Sequence, residues 1–230
     1  MRKFFHLLVL LMFVPAVLID PEFVGLALSI ATSLFLLAEV LRVHRVMPLD
    51  SRLVSTFLAH FIDDRDEGAI VLTHIYLLVG CAIPLWADLV LKSFAAVPGP
   101  TCPDHDVLMG PDYATHLLPL CGVLSLGVLD AIAAAYGKRF GKLPWPGTKK
   151  TIEGTGAATI GTTLFAVGVA AVATSFRPAS VLSMLLAVFV PVAATSLLEA
   201  FTLQIDNLVL PVYYFVFVGT WSDAMAALSW

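Results

Sequence analysis

Residues 155 to 174 read Thr155-Gly-Ala-Ala-Thr-Ile-Gly-Thr-Thr-Leu-Phe-Ala-Val-Gly-Val-Ala-Ala-Val-Ala-Thr174, an apolar stretch without a single charge. A helix of about 20 residues rises about 30 Å, the thickness of a bilayer's hydrocarbon core, so this stretch reads as a membrane-crossing helix. Similar runs fall near residues 4 to 19, 23 to 41, 69 to 91, 114 to 136, 180 to 198 and 208 to 228. The expected architecture is an all-α, polytopic membrane bundle with about seven transmembrane helices, forming a single domain over residues 1–230. Composition agrees: of 230 residues, 59% are hydrophobic and 13% charged, and the mean hydropathy is +0.92, which no water-facing surface supports. Disorder, collagen, a secreted disulfide scaffold and a nucleic-acid binder are excluded. A closed barrel is disfavoured because the runs are continuous, without ten-residue alternation. Three cysteines, Cys81, Cys102 and Cys121, give neither a disulfide framework nor a metal spacing.

The thirteen Lys and Arg residues orient the bundle. If successive loops alternate between faces, Arg2, Lys3, Arg42, Arg45, Arg52, Arg65, Lys138, Arg139, Lys142, Lys149 and Lys150 share one side, and only Lys92 and Arg177 lie opposite. By the positive-inside rule the crowded side faces the cytosol. The first run also has the form of a secretory signal, with two basic residues before an apolar stretch. It lacks a small-x-small cleavage site before Asp20, and the reading as a helix is kept.

Four polar segments gather at that same side: Arg2 to His6, Phe61 to Gly68, Asp130 to Gly154 and Glu199 to Asn207. Ionisable groups at membrane depth are costly and mark functional sites. The third segment, Asp130-Ala-Ile-Ala-Ala-Ala-Tyr-Gly-Lys-Arg-Phe-Gly-Lys-Leu-Pro-Trp-Pro-Gly-Thr-Lys-Lys-Thr-Ile-Glu-Gly154, combines glycines, cations and acids between two helices. Such a composition suits a nucleoside triphosphate. Gly137, Gly141 and Gly147 permit close backbone approach, Lys149 and Lys150 can neutralise phosphate oxygens, and the next helix start adds oriented N–H groups. Asp130 and Glu153 are candidates for a hydrated Mg2+. No Walker A spacing occurs. The plainer reading is a basic connector that fixes topology and meets anionic membrane lipid; it leaves Asp130 unexplained. In the last segment Glu199, Thr202 and Asp206 follow i, i+3, i+7 and would share one face of a helix that continues through them, either as helix-end polar residues or as a metal or proton-transfer set.

Taken together, Arg2-Lys3-x-x-His6, Phe61-Ile-Asp-Asp-Arg-Asp-Glu-Gly68, Leu72-Thr-His-Ile-Tyr-Leu-Leu78, Trp145-Pro-Gly-Thr-Lys-Lys-Thr-Ile-Glu-Gly154 and Leu198-Glu-Ala-Phe-Thr-x-Gln-Ile-Asp-Asn-Leu208 resemble the dolichol kinase family, in order and over essentially the whole chain. The resemblance implies an enzyme of the endoplasmic-reticulum membrane, its site facing the cytosol, that moves the γ-phosphoryl of CTP to the terminal hydroxyl of dolichol, giving dolichyl phosphate for glycosylation. It implies CTP binding between Gly141 and Glu153. The expected site comprises Lys138, Gly141, Gly147, Thr148, Lys149, Lys150, Thr151, Glu153 and Gly154 for the nucleotide, with Lys149 and Lys150 clamping its phosphates. Asp130, Glu153 and Asp206 are the expected Mg2+ ligands, and Asp130 or Asp206 the group that orients or deprotonates the alcohol. One departure stands out: familiar eukaryotic members carry many further membrane helices before the stretch that begins here at Arg2. A compact form, a fragment or an incomplete gene model are the expectations. Short relatives acting on phytol or farnesol share the resemblance. A transporter is the alternative of another class, and it would place ionisable groups near the midplane with access from both faces.

Overall fold

A computed structural model describes residues 2–44, 73–95, 112–174, 181–202 and 206–228, apart from the side chains nearest several segment ends. Within them the chain is helical, with one isolated bridge between Pro144 and Thr151. The rods are α1 (Arg2–Ile19), α2 (Pro21–Val43), α3 (Thr73–Ala95), a composite α4, α5 (Ile152–Ala173), α6 (Val181–Phe201) and α7 (Asp206–Leu228). Six are long and apolar enough to cross a membrane, and α1 adds a shorter apolar section, Leu8–Ile19. The seven apolar runs of the sequence are therefore seven rods. The polar segment Phe61 to Gly68 lies outside the described residues.

Asp20-Pro21-Glu22 makes the first hairpin. The Asp20 carboxylate accepts from the N–H of Phe23 at 2.9 Å, Pro21 occupies the first helical position and Glu22 the first turn, as a helix start favours. α1 is a packed member of the bundle, with Val14 and Val17 in the core. α2 lies at the rim and is held to α3 by Trp86, whose indole N–H donates to Gly25 O at 3.0 Å.

α4 is the axis of the bundle: 67% of its spanning window is buried, against 22% for α2. It runs as an α segment (Asp112–Leu117), a 3-10 turn (Leu118–Leu120), an α turn (Cys121–Val123), a π segment (Leu124–Leu129) and a final α segment (Asp130–Phe140). Pro119 accounts for the first break. It has no N–H to give to Thr115 O four residues back, and the ammonium of Lys92 on α3 donates to that oxygen at 3.3 Å. The same ammonium pairs with the buried Asp88 at 2.7 Å, so this buried acid is not left without a counter-charge. After the break, the Ser125 hydroxyl donates to Cys121 O at 2.7 Å and Gly122 O at 3.1 Å, and the wider winding follows. Each π turn offsets what comes after by about one residue, roughly 100° of helix rotation. Asp130 is the first residue beyond it.

Candidate functional site

The helix ends opposite Lys92 gather the end of α4, the start of α5, the end of α6 and the start of α7. Between α4 and α5, residues 141 to 151 form a closed loop rather than a loose connector. Ile152 N donates to Leu143 O at 2.9 Å and Trp145 N to Lys150 O at 2.9 Å, a short antiparallel pairing. Its tip is a type II turn: Thr148 N donates to Trp145 O at 3.1 Å, Pro146 fills the second position and Gly147 the third with φ +77°. The Glu153 carboxylate receives Leu143 N–H, its two oxygens 3.1 and 3.2 Å away. Thr151 caps α5 by accepting from Gly154 N at 3.2 Å. Trp145 Nε1 donates to Thr155 Oγ1 at 3.0 Å, and the indole meets Phe201 of α6 edge-on at 5.2 Å.

The glycines divide into two kinds. Gly137, Gly141 and Gly154 surround Thr151: a Cβ on Gly137 would lie 2.9 Å from Thr151 Oγ1 and one on Gly141 2.5 Å from it. A Cβ on Gly154 would lie 2.9 Å from Ala133 O and 3.1 Å from Gly137 Cα. These three let α4 press against the cap of α5. Of these four, only Gly147 faces open space, with nothing within 4 Å of an added Cβ.

Donors at the loop follow from this closure. Three amides of the α5 start are already used, Ile152 N and Gly154 N as above and Thr155 N on Thr151 O at 3.0 Å. The helix start therefore offers fewer free N–H groups than its sequence suggests. Among the described residues, no hydrogen bond takes up the Gly147 or Lys149 N–H, and both residues are exposed. Lys138 is likewise exposed on the last turn of α4. Thr148 Oγ1 accepts from Lys150 N at 3.2 Å. Lys150 turns inward: its ammonium lies 2.5 Å from Oε1 of the buried Glu199 and 2.5 Å from Glu199 O.

Of the expected carboxylates, Glu153 sits at the loop, whereas half-buried Asp130 lies seven residues along α4 from Gly137, roughly 10 Å deeper by helical rise. Among the described residues no three Asp, Glu, His or Cys side chains converge. Asp206 opens α7. The backbone of its neighbour Asn207 packs on Gly80, at a point where Leu126, one turn before Asp130, also touches. The start of α7 thus meets the π segment of α4 one turn before Asp130.

The dolichol kinase family model matches residues 1–186. The chain belongs to the dolichol kinase family. It is 37% identical over 219 residues to dolichol kinase of Homo sapiens, 34% over 217 to one of Arabidopsis thaliana and 35% over 216 to one of Schizosaccharomyces pombe, each time over 94% of this chain. It spans 37%, 34% and 38% of those proteins, little more than a third of their length. No solved structure matches. The matched region of this dolichol kinase family chain contains the whole loop and Asp130, while Glu199 and Asp206 lie beyond residue 186.

Sequence reasoning placed the loop but missed its fastenings, Trp145 on Thr155 and Phe201, and Lys150 on Glu199. The Pro146-Gly147 pair signals only the type II turn at the tip; the fastenings reach other helices and leave no local signal. An expected outcome follows for this loop. Gly147→Ala should lower stability by about 1 kcal/mol through the left-handed backbone alone, and Gly147→Asn by less. Gly141→Ala should cost more, because its Cβ must displace Thr151 and the carbonyl of Gly137. Thermal unfolding of the purified variants checks the order; equal midpoints would contradict it.

Proposed function

We propose that the chain transfers the γ-phosphoryl of CTP to the terminal hydroxyl of dolichol, at the cytosolic face of the endoplasmic-reticulum membrane, yielding the dolichyl phosphate used in glycosylation. One observation carries this reading: a closed, glycine-seated loop stands at the end of a membrane bundle, presenting Lys149 and unspent backbone N–H groups above a half-buried aspartate. A water-borne phosphate donor and an alcohol anchored in hydrocarbon can meet only at such a boundary. The dolichol kinase names of the relatives support the reaction class.

Phosphoryl transfer depends chiefly on alignment and on cancelling charge at the moving group. Lys149 faces the triphosphate, Lys138 adds an exposed cation on the last turn of α4, and the Gly147 and Lys149 N–H groups and the Thr148 hydroxyl surround it. Glu153 keeps the loop shut through Leu143, and Gly141, Thr151 and Gly154 seat it on α5. Asp130 and Asp206 are the carboxylates for Mg2+, an ion that takes one or two carboxylates and fills its other positions with water and phosphate. An α7 start that meets α4 one turn before Asp130 supports that pairing, whereas a three-carboxylate cage is not required. When bound, the ion supplies positive charge to the phosphate oxygens. Whichever of Asp130 and Asp206 faces the alcohol orients its hydroxyl or accepts its proton. The isoprenoid chain reaches this point sideways from the bilayer, its tail remaining among lipid-facing helices.

Purified protein incubated with radiolabelled CTP or ATP and dolichol, phytol or farnesol tests the proposal. Phosphorylated dolichol from CTP is expected. Product only on phytol or farnesol would reassign the alcohol, and product on none would overturn the kinase reading.

A further inference from the structure

The two adjacent lysines of the loop meet different surroundings. Lys149 is exposed. Lys150 is fixed at three atoms: its N–H donates to Thr148 Oγ1, its carbonyl accepts from Trp145 N, and its ammonium holds both the carboxylate and the main-chain oxygen of Glu199. The carboxylate end of this pair is deep, the Glu199 side chain being 4% exposed against 31% for Lys150. The pair joins residues 49 apart in sequence and connects the loop to the last turn of α6, next to the contact of Trp145 with Phe201. A cation satisfied in this way has little charge left for a ligand, and releasing it would strand a buried carboxylate.

We infer that Lys150 and Glu199 form a tether that positions the loop, leaving Lys149 as the lysine that meets the phosphates. Glu199 is thereby a positioning residue: it acts through Lys150 and touches no reacting atom. The inference rests on reading the loop as the nucleotide site, so its test needs an arm that does not depend on nucleotide. A buried ion pair supplies that arm, because replacing both partners by apolar residues of similar size is tolerated far better than removing one.

The full chain is prepared as Lys149→Met, Lys150→Met, Glu199→Met and the Lys150→Met/Glu199→Met double variant. Amide hydrogen exchange over residues 141–151 and CTP-dependent phosphorylation are measured on each. Exchange is expected to quicken in K150M and E199M and to return to wild-type rates in the double variant, while K149M exchanges like wild type. The apparent KM for CTP is expected to rise about tenfold in K150M and E199M, as misplacement of a binding group does, and to fall back within about threefold of wild type when both are replaced. K149M should stay impaired although its tether is intact. A double variant with wild-type exchange but turnover no better than K150M would put Lys150 on the phosphate and overturn the inference. Wild-type exchange in both single variants would overturn it too. If the wild type itself shows no CTP-dependent turnover, the kinase reading fails, and the exchange pattern alone still decides the tether. Should the methionine variants not accumulate, Lys150→Arg is expected to keep slow exchange and Glu199→Gln to lose it; native exchange and KM in E199Q would be the contrary result.

Discussion

Lys149→Met is expected to lower CTP-dependent phosphorylation about 100-fold, the usual consequence of removing one donor aimed at charge that develops in a transition state. The loop explains why so much should fall on this side chain. Closure uses the Leu143, Trp145, Thr148 and Lys150 amides internally, and three amides of the α5 start as well. A triphosphate approaching the tip therefore meets few main-chain donors, mainly those of Gly147 and Lys149, and depends on side-chain charge. Lys149 stands directly after the turn, exposed and facing no built-in acid among the described contacts. Its removal leaves every fastening of the loop in place, so the midpoint of thermal unfolding should stay within about 0.5 kcal/mol of wild type, as for other exposed positions. Lys149→Arg retains the charge but offers a planar fork in place of a compact ammonium, and should recover only part of the rate. Initial rates at saturating and limiting CTP separate the two contributions. Turnover of K149M within a few-fold of wild type would remove Lys149 from the site.

How far the sequence reveals this arrangement depends on the range of the interactions. The seven rods were readable because membrane depth sets a minimum length of apolar chain, and the α1–α2 hairpin because Asp20, Pro21 and Glu22 are local signals. The loop was readable as a polar island between two apolar runs. Its internal logic was not. Gly137 and Gly141 look in sequence, with Gly147, like sites of close phosphate approach, yet together with Gly154 they make room for Thr151 and bring α4 onto α5. A glycine's reason is its neighbour, and the neighbour here comes from another helix. Glu153 looks like a metal ligand and holds Leu143. The Lys150–Glu199 pair joins distant parts of the chain, and helical spacing alone groups Glu199 with Thr202 and Asp206 instead. The π segment before Asp130 left no mark in the apolar pattern, because every residue from Leu124 to Leu129 is buried whichever way the helix winds.

Gly80→Ala is expected to be among the most destabilising single-methyl changes in the bundle and to impair turnover besides. The reason lies in two prolines. Pro84 has no N–H for Gly80 O, and Pro211 none for Asn207 O, so each leaves one helix carbonyl unbonded four residues back. The structure sets a glycine against each of them. A Cβ on Gly122 would lie 2.7 Å from Gly80 O and 2.6 Å from Cys81 Cα, and a Cβ on Gly80 would run into Asn207 O. Close approach of Cα–H groups gives the freed carbonyls a weak partner where no water reaches. An added methyl meets backbone, which cannot rotate away as a side chain does, so α3 must separate from α7 at a cost of about 3 kcal/mol or more. Asp206 begins α7 one residue before Asn207; displacing that start by about 1 Å is expected to reduce turnover of the intact protein by up to about 100-fold. Gly156→Ala and Gly168→Ala provide the control. Both positions lie on α5 with nothing within 4 Å of an added Cβ, and alanine there should be neutral or stabilising by about 0.5 to 1 kcal/mol. Unfolding midpoints in a single detergent compare the three variants directly. If G80A melts with G156A, the backbone crossing of α3 and α7 does not hold this end of the bundle, and the proximity inferred for Asp130 and Asp206 falls with it.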